Sequence, residues 1–453
     1  MLYLSLRRAT VRASVVLTAL ATAASTLVLA APAQAANRPT PRSFSGYGFD
    51  QCAAPSQDVM DAWLTGSPYW AVGIYIAGGN RACPTQEALD ATWVATQLRN
   101  GWRLLPITVG PQASCYTNPK KKIRINPDPD SAYLAARRQG RLEARRTVSR
   151  AEALGIVRRS TLWYDIEAYD IGNVRCRESA LSFLSAWTRT LHDLGYVSGV
   201  YSSAASGIRA LDDARVDEPG RFLMPDRIWF ADWMDADRYR RPPTANPPSL
   251  LSDYFRDDGW RGRRMRQYRG DHDETYGGAT INIDTNYLHL GGGTRPGRAP
   301  RFCGGVRVDF PRYHRLVLGQ RRPQVAALQC LLRRKNLYDR RITGHYNRPT
   351  ARGVRMFQRR AGLPVTGNTS RNTWVAMWSE GRRTPVLKIG SGNNLVRNVQ
   401  RALNAAVHAE LPVTGVFDPA TTGAVRRYQG EVSIRRTGVV ADPTWVRLQT
   451  GRM

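Results

Sequence analysis

TLWYDIEAYD, Thr161–Asp170, sets two carboxylates, Asp165 and Glu167, two residues apart in a run that otherwise reads as a buried strand. Side chains at i and i+2 of a strand share a face, so Trp163, Asp165 and Glu167 point one way and Leu162, Tyr164 and Ile166 the other. Like charges crowded in this way raise at least one pKa. Such crowding destabilises a structural strand, yet it is the environment a general acid needs. The pair is therefore read as catalytic, the alternative being an unseen cation between the two groups.

Seven more strand-like runs surround this one: YGFDQC, WAVGIYIAG, WRLLPITVG, VSGVYSSA, RIWFADW, MRQYRGD and INIDTNYL. Helical patterns such as TQEALDATWVATQLRN and ESALSFLSAWTRTLHDLG separate the early runs, whereas loops rich in Pro, Gly and Asp join the last three. Eight strands with that alternation predict an α/β fold, a barrel related to the (β/α)8 class over residues 45–290. In such barrels the chemistry sits at the carboxyl ends of the strands. Asp50, Asp165, Glu167 and Asp284 all lie near such ends, and four carboxylates converging on one mouth are too costly for architecture alone. Glycoside hydrolysis uses carboxyl groups of this kind, one to protonate the leaving oxygen and others to stabilise the oxocarbenium-like centre.

The 453-residue chain has room for two or three domains. Its first 35 residues carry Arg7, Arg8 and Arg12, then an uncharged Ala/Val/Leu run, then Ala33-Gln34-Ala35, the pattern of a cleaved secretory signal. An uncleaved membrane anchor is the alternative, and the Arg7-Arg8 pair leaves the Sec and twin-arginine routes both open. Cysteines of an exported chain form disulfides. Cys52 and Cys83 follow the first two strands and Cys115 and Cys176 the third and fourth, which pairs Cys52 with Cys83 and Cys115 with Cys176 and leaves Cys303 for Cys330. No C-x-x-C or H-E-x-x-H spacing occurs, so neither a metal nor a cofactor is expected.

The net charge of +30 selects anionic partners, and residues 301–453 hold 28 basic against 7 acidic side chains. Export turns that bias away from nucleic acid and toward anionic cell-wall polymers. The same segment repeats at an offset of 71 residues: Gly319 and Gly390, Gln329 and Gln400, Thr343-Gly344 and Thr414-Gly415, Phe357-Gln358 and Tyr428-Gln429, Thr366-Gly367 and Thr437-Gly438, Trp374 and Trp445. Each copy reads as three small helices, over 313–380 and 384–451, and GGGTRPGRAP opens a linker over 291–312.

The order L-G, L-Q-x-x-L, T-G-x-[FY], T-x-x-x-V-x-x-[FY]-Q and T-G-x-x-x-x-x-T-W resembles the peptidoglycan-binding domain of bacterial wall hydrolases, twice over. It departs at His345-Tyr346-Asn347, and in the second copy GEVSIRR stands where the first has RRAGLPV. In the barrel, the series G-F-D, D-x-E, V-Y-S, W-x-A-D-W, Q-Y and D-x-N resembles the family-25 muramidases. More closely, residues 45–290 resemble the glycoside-hydrolase-like domain of unknown function family 1906 of exported actinobacterial proteins. The muramidase resemblance implies Glu167 as general acid, with Asp165, Asp50 and Asp284 shaping charge and orienting the sugar, and Tyr201, Trp233 and Gln267 binding it. The loop after the third strand, with Lys120-Lys121-Lys122, is longer than the muramidase pattern.

The function expected is that of a secreted, monomeric peptidoglycan hydrolase held to the wall by two modules, without membrane insertion once the signal is removed. A barrel that binds glycan without cleaving it is the alternative. A wall amidase would need a zinc site or a Cys/His pair, and neither is visible.

Overall fold

The computed structural model describes residues 37–233, 244–245 and 254–453. The leader expected over residues 1–35 lies outside them. Among the described residues no helix is long and apolar enough to cross a membrane.

Eight strands close into a barrel in chain order: β1 (Phe44–Asp50), β2 (Ala71–Ala77), β3 (Arg103–Thr108), β4 (Thr161–Asp165), β5 (Val197–Ser203), β6 (Arg227–Ala231), β7 (Arg263–Tyr276) and β8 (Ala279–Leu290). β1 to β7 pair in parallel with their neighbours. β8 runs antiparallel to both β7 and β1, so the closing strand departs from a regular (β/α)8 barrel. The reason is local. Gly277 and Gly278 at φ 60° and 87° supply the two left-handed residues of a tight hairpin, with Tyr276 opposite Ala279.

Helices α1 (Gln57–Gly66), α2 (Ala91–Asn100), α3 (Asp130–Ala153), α4 (Val174–Asp193) and α5 (Arg209–Asp217) cover the early strands. Ser56, Asp90 and Asn173 start α1, α2 and α4 by accepting from the backbone N–H of Val59, Trp93 and Cys176. Strand alternation then sorts the side chains. Leu105, Ile107, Trp163, Trp229 and Met265 fill the barrel interior, while Val72, Ile74, Leu104, Leu162 and Tyr164 face the helices. The Trp163 and Trp229 rings meet edge to face at 5.7 Å. Residue 199 must be glycine for this, because a Cβ there would lie 2.3 Å from the Trp163 ring.

The remainder holds α6 (Pro323–Arg334), α7 (Arg348–Arg360), α8 (Arg371–Ser379), then α9 (Asn394–Ala406), α10 (Pro419–Glu431) and α11 (Asp442–Gln449). Four buried glutamines explain the recurring Q and T-G signatures. Gln329 accepts from the N–H of Thr343 and Gly344 and donates to His345 O and Thr350 Oγ1. Gln400 holds Gly415, Val416 and Thr421 likewise. Gln358 and Gln429 repeat the device on the Gly367 and Gly438 turns. Each amide satisfies a turn that would otherwise bury unpaired backbone groups.

The segment 291–312, a linker by composition, is strapped to the second repeat. Thr294 Oγ1 donates to Gly390 O at 2.7 Å, Arg397 reaches the carbonyls of Pro296 and Gly297, and Asp309 pairs with Arg401 at 2.7 Å. The second repeat also plugs the base of the barrel. Lys388, 1% exposed, places its Nζ 4.5 and 4.8 Å from the ring centres of Trp70 and Trp102 and donates to Leu64 O at 2.8 Å. Burial pushes its pKa well below the usual lysine value.

Candidate active site

β4 ends at Asp165, two residues short of Glu167, although the strand-like run continues past it. Asp165 is buried at the strand's end, whereas Glu167 lies in the following loop with its side chain 32% exposed. Gln112 makes this break. Its Nε2 donates to Asp165 O at 2.9 Å, and its Oε1 accepts from Glu167 N at 2.8 Å. The two carboxylates therefore differ in environment, although they were expected to share one strand face.

Asp50, at the end of β1, is 2% exposed. It accepts from Tyr75 Oη at 3.1 Å and from Asn286 Nδ2 at 2.6 Å. Asp284 lies directly opposite it in the β1–β8 ladder. It reaches the mouth from within an antiparallel strand and not from a carboxyl end, which corrects its expected position. Asp284 accepts from Gln267 Nε2 at 3.1 Å and from the N–H of Asp271 at 2.6 Å.

Asp50, Asp165, Glu167 and Asp284 line one cavity of about 290 Å³ together with Tyr75, Lys121, Asp271 and Asn282. Gln267, Tyr201 and Trp233 form a second tier. Gln267 Oε1 accepts from Tyr201 Oη at 2.8 Å and from Trp233 Nε1 at 3.1 Å, so both aromatic residues act on Asp284 through it. Trp233 is 53% exposed and offers its ring to solvent at the rim.

Electrostatics follow burial. Asp50 is pushed from 3.8 up to about 7, by burial and then by Asp284. Asp165 is pushed well above the carboxylate range by burial and then by Glu167, against a lowering influence from Lys121. Asp284 is also raised, mainly by burial. Lys121 forms an ion pair with Glu167. Its burial opposes the charge, but Asp165 and Glu167 outweigh that and raise its pKa. At least one carboxyl of the cluster thus carries a proton near neutral pH. Among the described residues no group of His, Cys, Asp or Glu is arranged to hold a metal ion.

Gln112, Tyr75, Asp271 and Asn282 were not anticipated. Tyr75, Asp271 and Asn282 lie within the strand-like runs, Gln112 outside them, and the antiparallel turn that brings Asp271 and Asn282 to the mouth has no signal in the alternation. The three disulfides join Cys52 to Cys83, Cys115 to Cys176 and Cys303 to Cys330, as the strand order implied. Cys52 and Cys83 line the mouth.

Fold and mouth together define a glycoside-hydrolase-like barrel. The Rv2525c-like, glycoside hydrolase-like domain matches residues 61–288, half of the chain, and the protein belongs to that family. The peptidoglycan binding domain matches residues 321–377 and 392–448. Among solved structures, the chain is similar to an uncharacterized protein of B. stearothermophilus, with 20% identity, a TM-score of 0.35, and 53% of this chain and 94% of that one covered. It is similar to the Mycobacterium tuberculosis Tat-secreted protein Rv2525c in complex with HEPES, at 13% identity and TM-score 0.34, covering 55% and 97%. A family 25 glycosyl hydrolase from Bacillus anthracis is similar at 13% identity and TM-score 0.33, covering 57% and 96%. No curated protein matches the chain.

Proposed function

We propose that the protein is exported, associates with the cell wall and hydrolyses peptidoglycan glycan as a muramidase-like enzyme. The reading divides the chain into a signal over 1–35, a catalytic barrel over 45–290, a strap over 291–312 and two wall-binding modules over 313–380 and 384–451. Three disulfides and two peptidoglycan-binding domains support export and wall association. The observation that carries the catalytic reading is the meeting of Asp50, Asp165, Glu167 and Asp284 in one cavity.

In this reading Glu167, the exposed member, faces the glycosidic oxygen and delivers the proton. Asp165, buried behind it and pushed well up, keeps a proton within the pair. Asp50 and Asp284 orient the sugar ring from beneath, and the Trp233 face packs against a neighbouring sugar. Substrate must displace Lys121 from Glu167. That ion pair favours the second reading, a barrel that binds glycan without cleaving it.

The test is release of new reducing ends from purified peptidoglycan by protein lacking the leader. Cleavage that falls by about 10²-fold or more in Glu167→Gln supports the acid assignment. Cleavage within a few-fold of the parent removes Glu167 from that role. Binding without cleavage by the parent selects the second reading.

A further inference from the structure

A larger cavity, of about 650 Å³, lies where the two repeats meet. Arg371 of the first repeat lines it with His408, Arg427, Tyr428, Glu431 and Arg436 of the second. Arg371 joins the two modules, its guanidinium donating to Ala405 O at 3.3 Å and to Ala406 O at the carboxyl end of α9. Arg427 and Arg436 are exposed, and neither forms an ion pair among the described residues. Three guanidinium groups thus border a cavity whose lining contains one acidic side chain, Glu431. The local field is positive enough to be felt by His408, whose pKa is held down by burial and then by Arg371 and Arg312.

The 71-residue register separates scaffold from specialisation. Around the cavity the packing residues are kept: Tyr428 matches Phe357, Gln429 matches Gln358, and Thr437-Gly438 matches Thr366-Gly367. The arginines are not kept. Arg427 stands where the first repeat has Met356, and Arg436 where it has Val365, both exposed at 39% and 46%. Two surface positions are therefore apolar in one copy and cationic in the other, so packing does not require the charge.

We propose that the inter-repeat cavity is a binding site for the oxyanions of an anionic cell-wall polymer, phosphodiester or carboxylate. Arginine's planar fork suits either group. The proposal rests on the wall-binding reading of the repeats and adds a discrete site to it. It differs from a general attraction by the chain's +30 charge, which any exposed arginine would serve equally.

That difference sets the experiment. Protein starting at residue 37 is made as Arg427→Glu/Arg436→Glu and as a charge-matched control, Arg352→Glu/Arg359→Glu, whose exposed residues lie on α7 and do not line the cavity. Affinity for soluble poly(glycerol phosphate) and for polygalacturonate is measured at about 0.15 M salt, where surface charge is largely screened. The cavity variant should lose about tenfold or more, the loss expected for charge-assisted contacts, and the control less than about threefold. The polymer that shows the difference identifies the oxyanion. Equal losses in the two variants, or no binding of either polymer by the parent, overturn the proposal. Sedimentation with peptidoglycan stripped of anionic polymer is the separate arm. If the parent fails to sediment there, the wall-binding reading itself falls, whereas retained binding by both variants leaves that reading intact.

Discussion

Replacing Asp50 by Asn should stabilise the protein at neutral and higher pH while removing a group from the proposed catalytic centre. Asp50 is raised from 3.8 to about 7, so its charged form is disfavoured by the fold. For an acid raised on folding, the native state holds the proton where the unfolded chain releases it. Below about pH 4 both states are protonated and there is no penalty. The penalty grows as pH rises through the window from 3.8 to about 7 and is constant above it. That rise corresponds to a ceiling of about 4 kcal/mol. Asn keeps the shape and can keep both partners, its Oδ1 accepting from Asn286 Nδ2 and its amide donating to Tyr75 Oη. The gain should approach that ceiling at pH 8 and fall to near zero at pH 4. Chemical denaturation of parent and variant at the two pH values measures it. A stability difference that is the same at pH 4 and pH 8 would refute the claim that the mouth holds its carboxylates against their preference.

Two further outcomes test the modules. Lys388→Met should fold with stability at least equal to the parent at pH 7, because the buried ammonium is opposed by desolvation and its hydrophobic isostere is not; a base depressed on folding makes parent stability climb with pH toward about 10.4, so parent-minus-variant denaturation curves should converge there. Gln400→Leu should destabilise the second repeat by about 1–3 kcal/mol, since Gly415 N and Val416 O lose their buried partner, and hydrogen exchange should show that loss at the Gly415 turn.

How much of this was legible depends on which interactions are local. All eight strands and six tail helices announce themselves in hydrophobic period, and two of the tail helices in the caps Asn347 and Asp418, because those signals act within a few residues. The 71-residue register fixed the tail for the same reason. The direction of β8 was hidden in a two-glycine turn between charged, half-exposed strands, where alternation says which face is buried and not which way the chain runs. Four carboxylates could be singled out as a cluster because their cost needs a reason. Their different environments could not be, since Gln112 and Lys121 reach Asp165 and Glu167 from about 50 residues away in sequence. Lys388 was invisible for another reason: a lysine is ordinarily read as surface, and only tertiary packing seats it between Trp70 and Trp102.

The loop after β3 ties these observations together. β3 and β4 share two register pairs, Ile107 with Trp163 and Thr108 with Tyr164, whereas β4 and β5 share five. The seam beside the carboxylate pair is thus the one the backbone ladder holds least. Three devices from the same loop close it. Gln112 bridges the backbone on both sides of Ile166, Lys121 neutralises Glu167, and Cys115 is bonded to Cys176 in the first turn of α4. Side chains and a covalent link can set the end of β4 at an angle that a continuous ladder would not permit. That freedom lets Asp165 stay buried while Glu167, two residues on, turns toward solvent. A regular strand would have pointed both into the interior, where their repulsion would have had no outlet. The basic loop after β3 is therefore what separates the two carboxylates into a buried and an exposed member.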